Sequence, residues 1–165
     1  RSLVRMAQLK DAQAGAENEA RCQIVRALDI VGEKWSLLIV RDALRGRTRF
    51  SEFKESLGAP SDILAARLTK LVDAGVLEKR AYREPGSRER SSYHLTESGQ
   101  GLALVIGALA QWGDTYHPYS GGQSARVVDA ARREPVSVTF LDGAGHPLTP
   151  SDVAFVPGPA ARVPW

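Results

Sequence analysis

Between Phe50 and Gly75 the chain carries two runs of helical period with only Gly58-Ala59-Pro60 between them, and so short and restricted a break leaves few folds open. Phe50, Phe53 and Leu57 recur at three- and four-residue steps within Arg49 to Leu57, and Gly58 stops the run. After Pro60, Ser61 is a good N-cap and Asp62 suits the positive end of a helix dipole, so a second helix is predicted from Ser61 to Ala74, ended by Gly75. Leu64, Leu68 and Leu71 share one of its faces and must point inward. Upstream, Ile24, Ala27, Leu28 and Val31 predict a helix from Cys22 ended by Gly32. Trp35, Leu38, Ile39 and Leu44 predict another, closed by Gly46.

The period changes at Val76. Val76 to Arg83 and Ser91 to Leu95 are β-compatible runs flanking Glu84-Pro85-Gly86-Ser87, the pattern of a hairpin. Thr96 then caps a last helix through Trp112, with Leu102, Val105, Ile106, Leu109 and Trp112 on one apolar stripe. Helix, helix, short helix, turn, helix, hairpin, helix is the order of a winged helix-turn-helix, whose second turn helix enters the major groove of DNA. The expected class is α+β, mainly α. Three regions are expected: an N-terminal arm over 1–20, a winged domain with its dimerisation helix over 21–117, and a small β-rich C-terminal extension over 118–165. In the extension Val136 to Phe140 alternates like a strand, Asp142-Gly143 signals a turn, and Val153 to Val156 suggests another strand before a Pro-rich tail.

The chain has a net charge of +3 and a pI near 9.2, a mild basic excess that suits a polyanion without establishing one. No apolar run reaches the length of a membrane span, and Arg1 to Arg21 lacks the apolar core of a signal peptide, so a cytoplasmic location is expected. Cys22 is the only cysteine, which excludes an internal disulfide framework.

Several ordered blocks also resemble one family. Cys22-Gln-Ile-Val-Arg-Ala-Leu-Asp-Ile-Val-Gly-Glu-Lys-Trp35, Leu-Leu-Ile-Val-Arg-Asp, Arg49-Phe-Ser-Glu-Phe, Leu64-Ala-Ala-Arg-Leu-Thr-Lys-Leu-Val-Asp-Ala-Gly75 and Tyr93-His-Leu-Thr-Glu-Ser-Gly99 are similar to HxlR-type regulators, relatives of the MarR group. The match runs from about Cys22 to His117. It implies a DNA-binding transcriptional regulator, a repressor or activator, acting as a homodimer on a double-stranded operator near its promoter. Repression from a palindromic operator is the expected form.

On the helix from Ser61, the residues Asp62, Ala65, Ala66, Thr69 and Lys70 turn outward. Small side chains let such a helix sit deep in a groove, Thr69 suits a base edge or a thymine methyl, and Lys70 suits a phosphate. A solvated helix face is the competing reading of each. Arg67, at the edge of the buried stripe, is open to a phosphate or to a structural ion pair. In the hairpin, Arg88 and Arg90 suit phosphates or the narrow minor groove, and the resemblance places a wing arginine at Arg90. The tip Gly-Ser-Arg-Glu-Arg departs from the short proline-rich wing usual in that family. Ser36, Arg47, Thr48 and Arg49, near helix ends beside the turn, are candidate backbone contacts.

The last helix is the expected dimer seam through Leu102, Val105, Ile106, Leu109 and Trp112, with Gly101 and Gly107 permitting close approach; packing onto the first helix competes with it. Cys22, beside Arg21 at a helix N-terminus, is a candidate redox sensor, and the resemblance points the same way because some HxlR-type members sense oxidants there. A small packing residue is the alternative. Trp35 and Trp112 fit the core better than an effector cavity. A small molecule or an oxidant is the effector class left open, and the extension is open to effector binding, dimer support or protein contact.

Histidines 94, 117 and 146 are scattered and one cysteine has no paired spacing, so no metal site is expected. No nucleophile elbow, phosphate loop or dinucleotide fingerprint is present, so neither an enzyme nor a cofactor is expected. The second class of function is a winged-helix module that docks a protein through the last helix and binds no DNA.

Overall fold

The computed structural model describes residues 22–161; the arm expected over 1–20 and the tail end at 162–165 lie outside them. Helix α1 spans Gln23–Val31, α2 Lys34–Leu44, α3 Phe50–Leu57 and α4 Ser61–Asp73. Strands β1 (Leu77–Tyr82) and β2 (Arg90–Leu95) pair antiparallel with Leu77 opposite Leu95 and Tyr82 opposite Arg90. Helices α5 (Glu97–Gly101) and α6 (Ala103–Tyr116) follow, and the extension holds β3 (Phe140–Leu141) and β4 (Pro147–Leu148).

Helix α2 is apolar nearly all round, with Trp35, Leu37, Leu38, Ile39, Val40, Ala43 and Leu44, and such a helix is stable only when surrounded. It packs against α1, α3, α4, β2 and α6, with Ile39 and Val40 fully buried. Phe53 of α3, Leu64, Leu68 and Leu71 of α4, and Val76 and Leu77 complete the core. The predicted inward face of α4 is the observed one.

The sheet has a third edge. Arg49 bridges Ser92, and the Tyr93 N–H donates to the Thr48 carbonyl at 2.7 Å. The hairpin is thereby stitched to the segment that leads into α3. At its base Thr96 caps α5 as expected: its Oγ1 accepts from the Gly99 N–H at 3.2 Å and lies 2.6 Å from the Gly75 carbonyl.

Two helix boundaries differ from expectation. Pro60, not Ser61, is the N-cap of α4; its φ of −55° and ψ of 140° already give the non-helical backbone a cap needs, and its carbonyl accepts from Leu64 N–H at 2.9 Å. Ser61 is instead the first helical residue, and its Oγ accepts from Lys54 Nζ at 2.6 Å. The helix expected from Thr96 to Trp112 is two helices joined at Leu102, whose N–H bonds the Gly99 carbonyl at 3.2 Å in a tightened turn. Gly99 and Gly101 weaken helix propensity there. Gly99 is also buried where a Cβ would collide with the Val76 carbonyl oxygen. Helix α6 continues one turn past Trp112, to Tyr116, before Pro118.

The extension has less strand than its alternation suggested. Asp142-Gly143 does turn the chain, Asp142 Oδ1 accepting from Ala144 and His146 N–H groups at 2.8 and 2.9 Å, but the ladder is only two residues long on each side. Val138 is engaged elsewhere: its N–H and carbonyl both bond the Gln111 side-chain amide at 3.0 Å, and its methyl lies against Gly107 of α6. Val153 to Val156 forms no strand and follows a 3₁₀ turn at Pro150–Asp152. A cleft of about 390 Å³ lies between α6 and the part of the extension from Gln123 to Val138, lined by Gly107, Ala110, Gln111, Asp114 and Val138 among others.

Replacing Leu68 by Ala is expected to cost about 2–5 kcal/mol in a urea titration. Ala65→Ser, on the outward face of the same helix, is expected to change stability by less than about 0.5 kcal/mol. Equal costs at the two positions would reverse the assignment of faces.

Candidate nucleic-acid interface

Burial of Leu64, Leu68 and Leu71 turns the opposite face of α4 to solvent, and Asp62, Ala65, Ala66 and Thr69 are all exposed. Lys70 is half-buried at the end of this face, with Nζ 3.4 Å from Glu33 Oε1. Arg67 forms an ion pair with the other oxygen of Glu33. Of the two readings open for Arg67, the geometry is therefore the structural one. Glu33, the N-cap of α2, collects both cations and ties the C-terminal half of α4 to the start of α2.

The entry to α3 is organised by Glu52. Its carboxylate accepts the backbone N–H groups of Thr48 at 2.8 Å and Arg49 at 2.9 Å, two donors that the first helical turn leaves unpaired. Those bonds hold the Glu52 carboxyl below the ordinary carboxylate range, with nearby Arg49 and Arg47 adding to the effect. Arg49 reaches the wing: Nη1 lies 2.7 Å from Glu84 Oε1 and the guanidinium sits 4.8 Å over the Tyr82 ring. Arg47 Nη1 lies 3.7 Å from Asp42. Ser36, expected among the contacts, is fully buried within α2 and takes no part in this surface; the apolar girdle of α2 has no outward side there.

The wing closes through Pro85-Gly86. Gly86 has φ +77° and the Ser87 N–H bonds the Glu84 carbonyl at 3.0 Å, the arrangement a type II turn asks of Pro-Gly. Arg83 Nε donates to the Ser87 carbonyl at 3.0 Å and Arg80 pairs with Glu78. Arg88 and Arg90 are exposed and have no ion pair or side-chain hydrogen bond among the described residues. Contacts make one strip from the wing to α4: Glu84 and Tyr82 to Arg49, α3 to Lys54, and Lys54 to Ser61.

Away from this strip, the five-residue stripe of the last helix divides. Leu102 and Ile106 pack on the chain's own core. Val105, Leu109 and Trp112 face outward, 43%, 50% and 55% exposed, joined by exposed Tyr116. Gly107 is approached by Val138 of the extension, while Gly101 has open space around it. Cys22 is the N-cap of α1, half-buried with a free thiol, and Ile24 and Leu28 on the same helix are exposed. Among the described residues no cluster of potential metal ligands forms, and no helix is long and apolar enough to cross a membrane.

Glu33, Asp42, Glu52 and Glu84 are the residues that sequence reasoning missed. Each orients a basic side chain or a helix end rather than facing a ligand. Only Glu52 carried a readable signal, standing three residues after the cap position of α3, where a capping carboxylate belongs.

Comparison with known proteins places this fold among transcriptional regulators. A family model described as HxlR-like helix-turn-helix matches residues 30–120. The HTH-type transcriptional regulator Rv3095 of Mycobacterium tuberculosis, itself uncharacterized, is 36% identical over 138 residues, covering 83% of this chain and 86% of the relative. The crystal structure of PA1607, described as a candidate transcription factor, superposes with a TM-score of 0.73 at 38% identity over 85% of this chain and 97% of that one. The redox regulator HypR in its oxidized form is similar over a shorter span, 58% of this chain and 98% of its own, with a TM-score of 0.53 and 25% identity.

Because hydrogen bonding depresses the Glu52 carboxyl in the folded chain, its contribution to stability is full above the ordinary value of 4.5 and is lost as pH falls through the lower folded-state value. The stability gap between the parent chain and Glu52→Gln is expected to narrow as unfolding is measured from pH 6 towards pH 3. A constant gap would show that the ionised form is not the one being held.

Proposed function

This chain belongs to the HxlR-like helix-turn-helix family and is a transcriptional regulator of that type, and we propose that it is a homodimeric repressor reading a palindromic operator with α4. The observation that carries the reading is the open outward face of α4, where small Ala65 and Ala66 allow close approach to base edges and Thr69 can bond them. Arg88 and Arg90, without partners among the described residues, supply phosphate or minor-groove contacts from the wing. Arg47, Thr48, Arg49 and Ser61 follow the DNA backbone along the strip between them. Asp62, next to Ser61, accepts from a cytosine amino group or remains solvated.

Two copies are needed because one reading helix buries little surface, and two-fold symmetry doubles it at a fixed spacing. The outward residues Val105, Leu109 and Trp112 of α6 form the seam, with Leu102 and Ile106 supporting it from the core side. A stripe of large apolar side chains at half exposure is costly in a lone copy and is relieved by burial against a second. Repression is the simplest output of such a dimer on a promoter, since occupancy alone suffices, and the site of action is the cytoplasm. Cys22 is the input under this reading: with no second cysteine in the chain, its oxidised form pairs with the other copy or with a small thiol, or stays a sulfenic acid. The likeness to a redox regulator supports that role.

Binding of the purified protein to the region upstream of its own gene is expected to weaken by about 10³–10⁵ between 50 and 200 mM salt if six to ten phosphates are contacted. Arg90→Ala is expected to reduce the salt slope by about one and Thr69→Ala to relax sequence preference with the slope intact. Absence of binding to any duplex would sink the reading. Sedimentation should give a dimer at micromolar concentration and a monomer for Leu109→Lys; a monomeric parent chain removes the dimer. Cys22→Ser should abolish any change of operator affinity on peroxide treatment, and an unchanged response would assign sensing elsewhere.

A further inference from the structure

Asp42 is fully buried in α2, yet its Oδ1 faces three guanidinium groups: Arg41 Nη2 at 2.8 Å, Arg47 Nη1 at 3.7 Å and Arg45 Nη1 at 3.8 Å. Arg41 Nε also donates to it at 2.9 Å. The arginine side chains keep 31%, 38% and 41% of their surface in water, so the anion is inside and the cations form its rim. One carboxylate against three guanidinium groups leaves that rim strongly cationic. Neutralising a buried carboxylate takes one good arginine, and gathering three carries a repulsive cost that local neutralisation does not explain.

The segment carrying Arg45 and Arg47 is also pinned at both ends. The Asp42 carbonyl accepts the N–H groups of Arg45 and Arg47, each at 3.1 Å. At the far end Glu52 holds the Thr48 and Arg49 N–H groups, and Tyr93 holds the Thr48 carbonyl. The backbone that carries Arg45 and Arg47 is thus fixed before any partner arrives, and Asp42 draws their guanidinium groups inward, at the entry to the first helix of the turn pair, the element that crosses the DNA backbone in this architecture. Fixed guanidinium forks suit phosphate oxygens, and fixing them beforehand removes the ordering cost of binding.

We propose that Asp42 is a positioning residue that holds Arg41, Arg45 and Arg47 as a preformed clamp for a DNA backbone phosphate. The inference rests on the DNA-binding reading above and concerns affinity rather than sequence choice. It makes a prediction opposite in sign to simple electrostatics. Asp42→Asn removes a negative charge beside the clamp, so charge alone would tighten DNA binding and steepen its salt dependence. Loss of positioning should instead weaken binding to the upstream duplex and to a shuffled duplex alike. The slope of log K against log salt should become shallower by one phosphate equivalent, about 0.9.

Both duplexes are titrated by fluorescence anisotropy across a salt series, after circular dichroism has established that each variant folds. Arg45→Gln combined with Arg47→Gln changes only partly exposed side chains and should reproduce the shallower slope, and this variant decides the matter if Asp42→Asn does not fold. An unchanged slope in the double variant, or tighter binding by folded Asp42→Asn, overturns the clamp. If the parent chain binds both duplexes and the variants keep its slope, the clamp fails and with it the backbone contact assigned to Arg47, while the reading of DNA by α4 stands. If the parent chain binds neither duplex, the DNA-binding reading fails with it.

Discussion

Burial of α2 on most of its sides governs where the outward-facing residues end up. Ile39 and Val40 have no exposed surface, and fully burying such side chains contributes about 1.5–3 kcal/mol each. Because α1, α3, α4, β2 and α6 all rest on this one helix, the outward face of α4, the wing and the apolar stripe of α6 are set relative to one another through it. Charge reinforces packing at both ends. Glu33, at its start, draws in Arg67 and Lys70 of α4, and Asp42, near its end, draws in the arginines ahead of α3. The most enclosed helix thus determines how the other elements are presented.

The small sheet carries that order outward. Thr48 and Arg49 pair with β2, Arg49 stacks on Tyr82 and bonds Glu84, and Thr96 ties the base of the hairpin to α5. The wing would otherwise be a two-stranded ribbon, which is marginal alone. Its third edge makes its orientation depend on the same loop that leads into the helix-turn-helix.

Period and punctuation made the element order legible: the inward Leu64, Leu68 and Leu71, the Pro-Gly hairpin and the Thr96 cap are all where spacing and turn chemistry put them. What escaped was whatever depends on a neighbour distant in sequence. Spacing alone could not divide the last stripe into Leu102 and Ile106, which meet the chain's own core, and Val105, Leu109 and Trp112, which do not. Ser36 read as a polar surface residue because nothing local reveals that α2 is enclosed. Nothing local sets Asp42 apart from other charged residues, and its burial emerges only once Arg45 and Arg47 fold back onto it. At Ser61 the general preference for a serine cap lost to Pro60, whose ring already fixes φ near the cap geometry. In the extension the strand alternation was real, but Val138 spent its backbone hydrogen bonds on Gln111 instead of on a neighbouring strand.

That grip of Gln111 on Val138 bears on how the chain is assembled from parts. Gly107 and Gln111 are one helical turn apart and lie roughly half a circumference from Val105, Leu109 and Trp112. Helix α6 therefore offers the extension a flank used neither by the core nor by the outward stripe. An amide side chain there imitates the edge of a sheet, accepting an extended segment by its backbone and asking little of its side chains beyond a fit against glycine. A segment attached in this manner leaves the outward face of α4 and the stripe on α6 with the geometry that the core gives them.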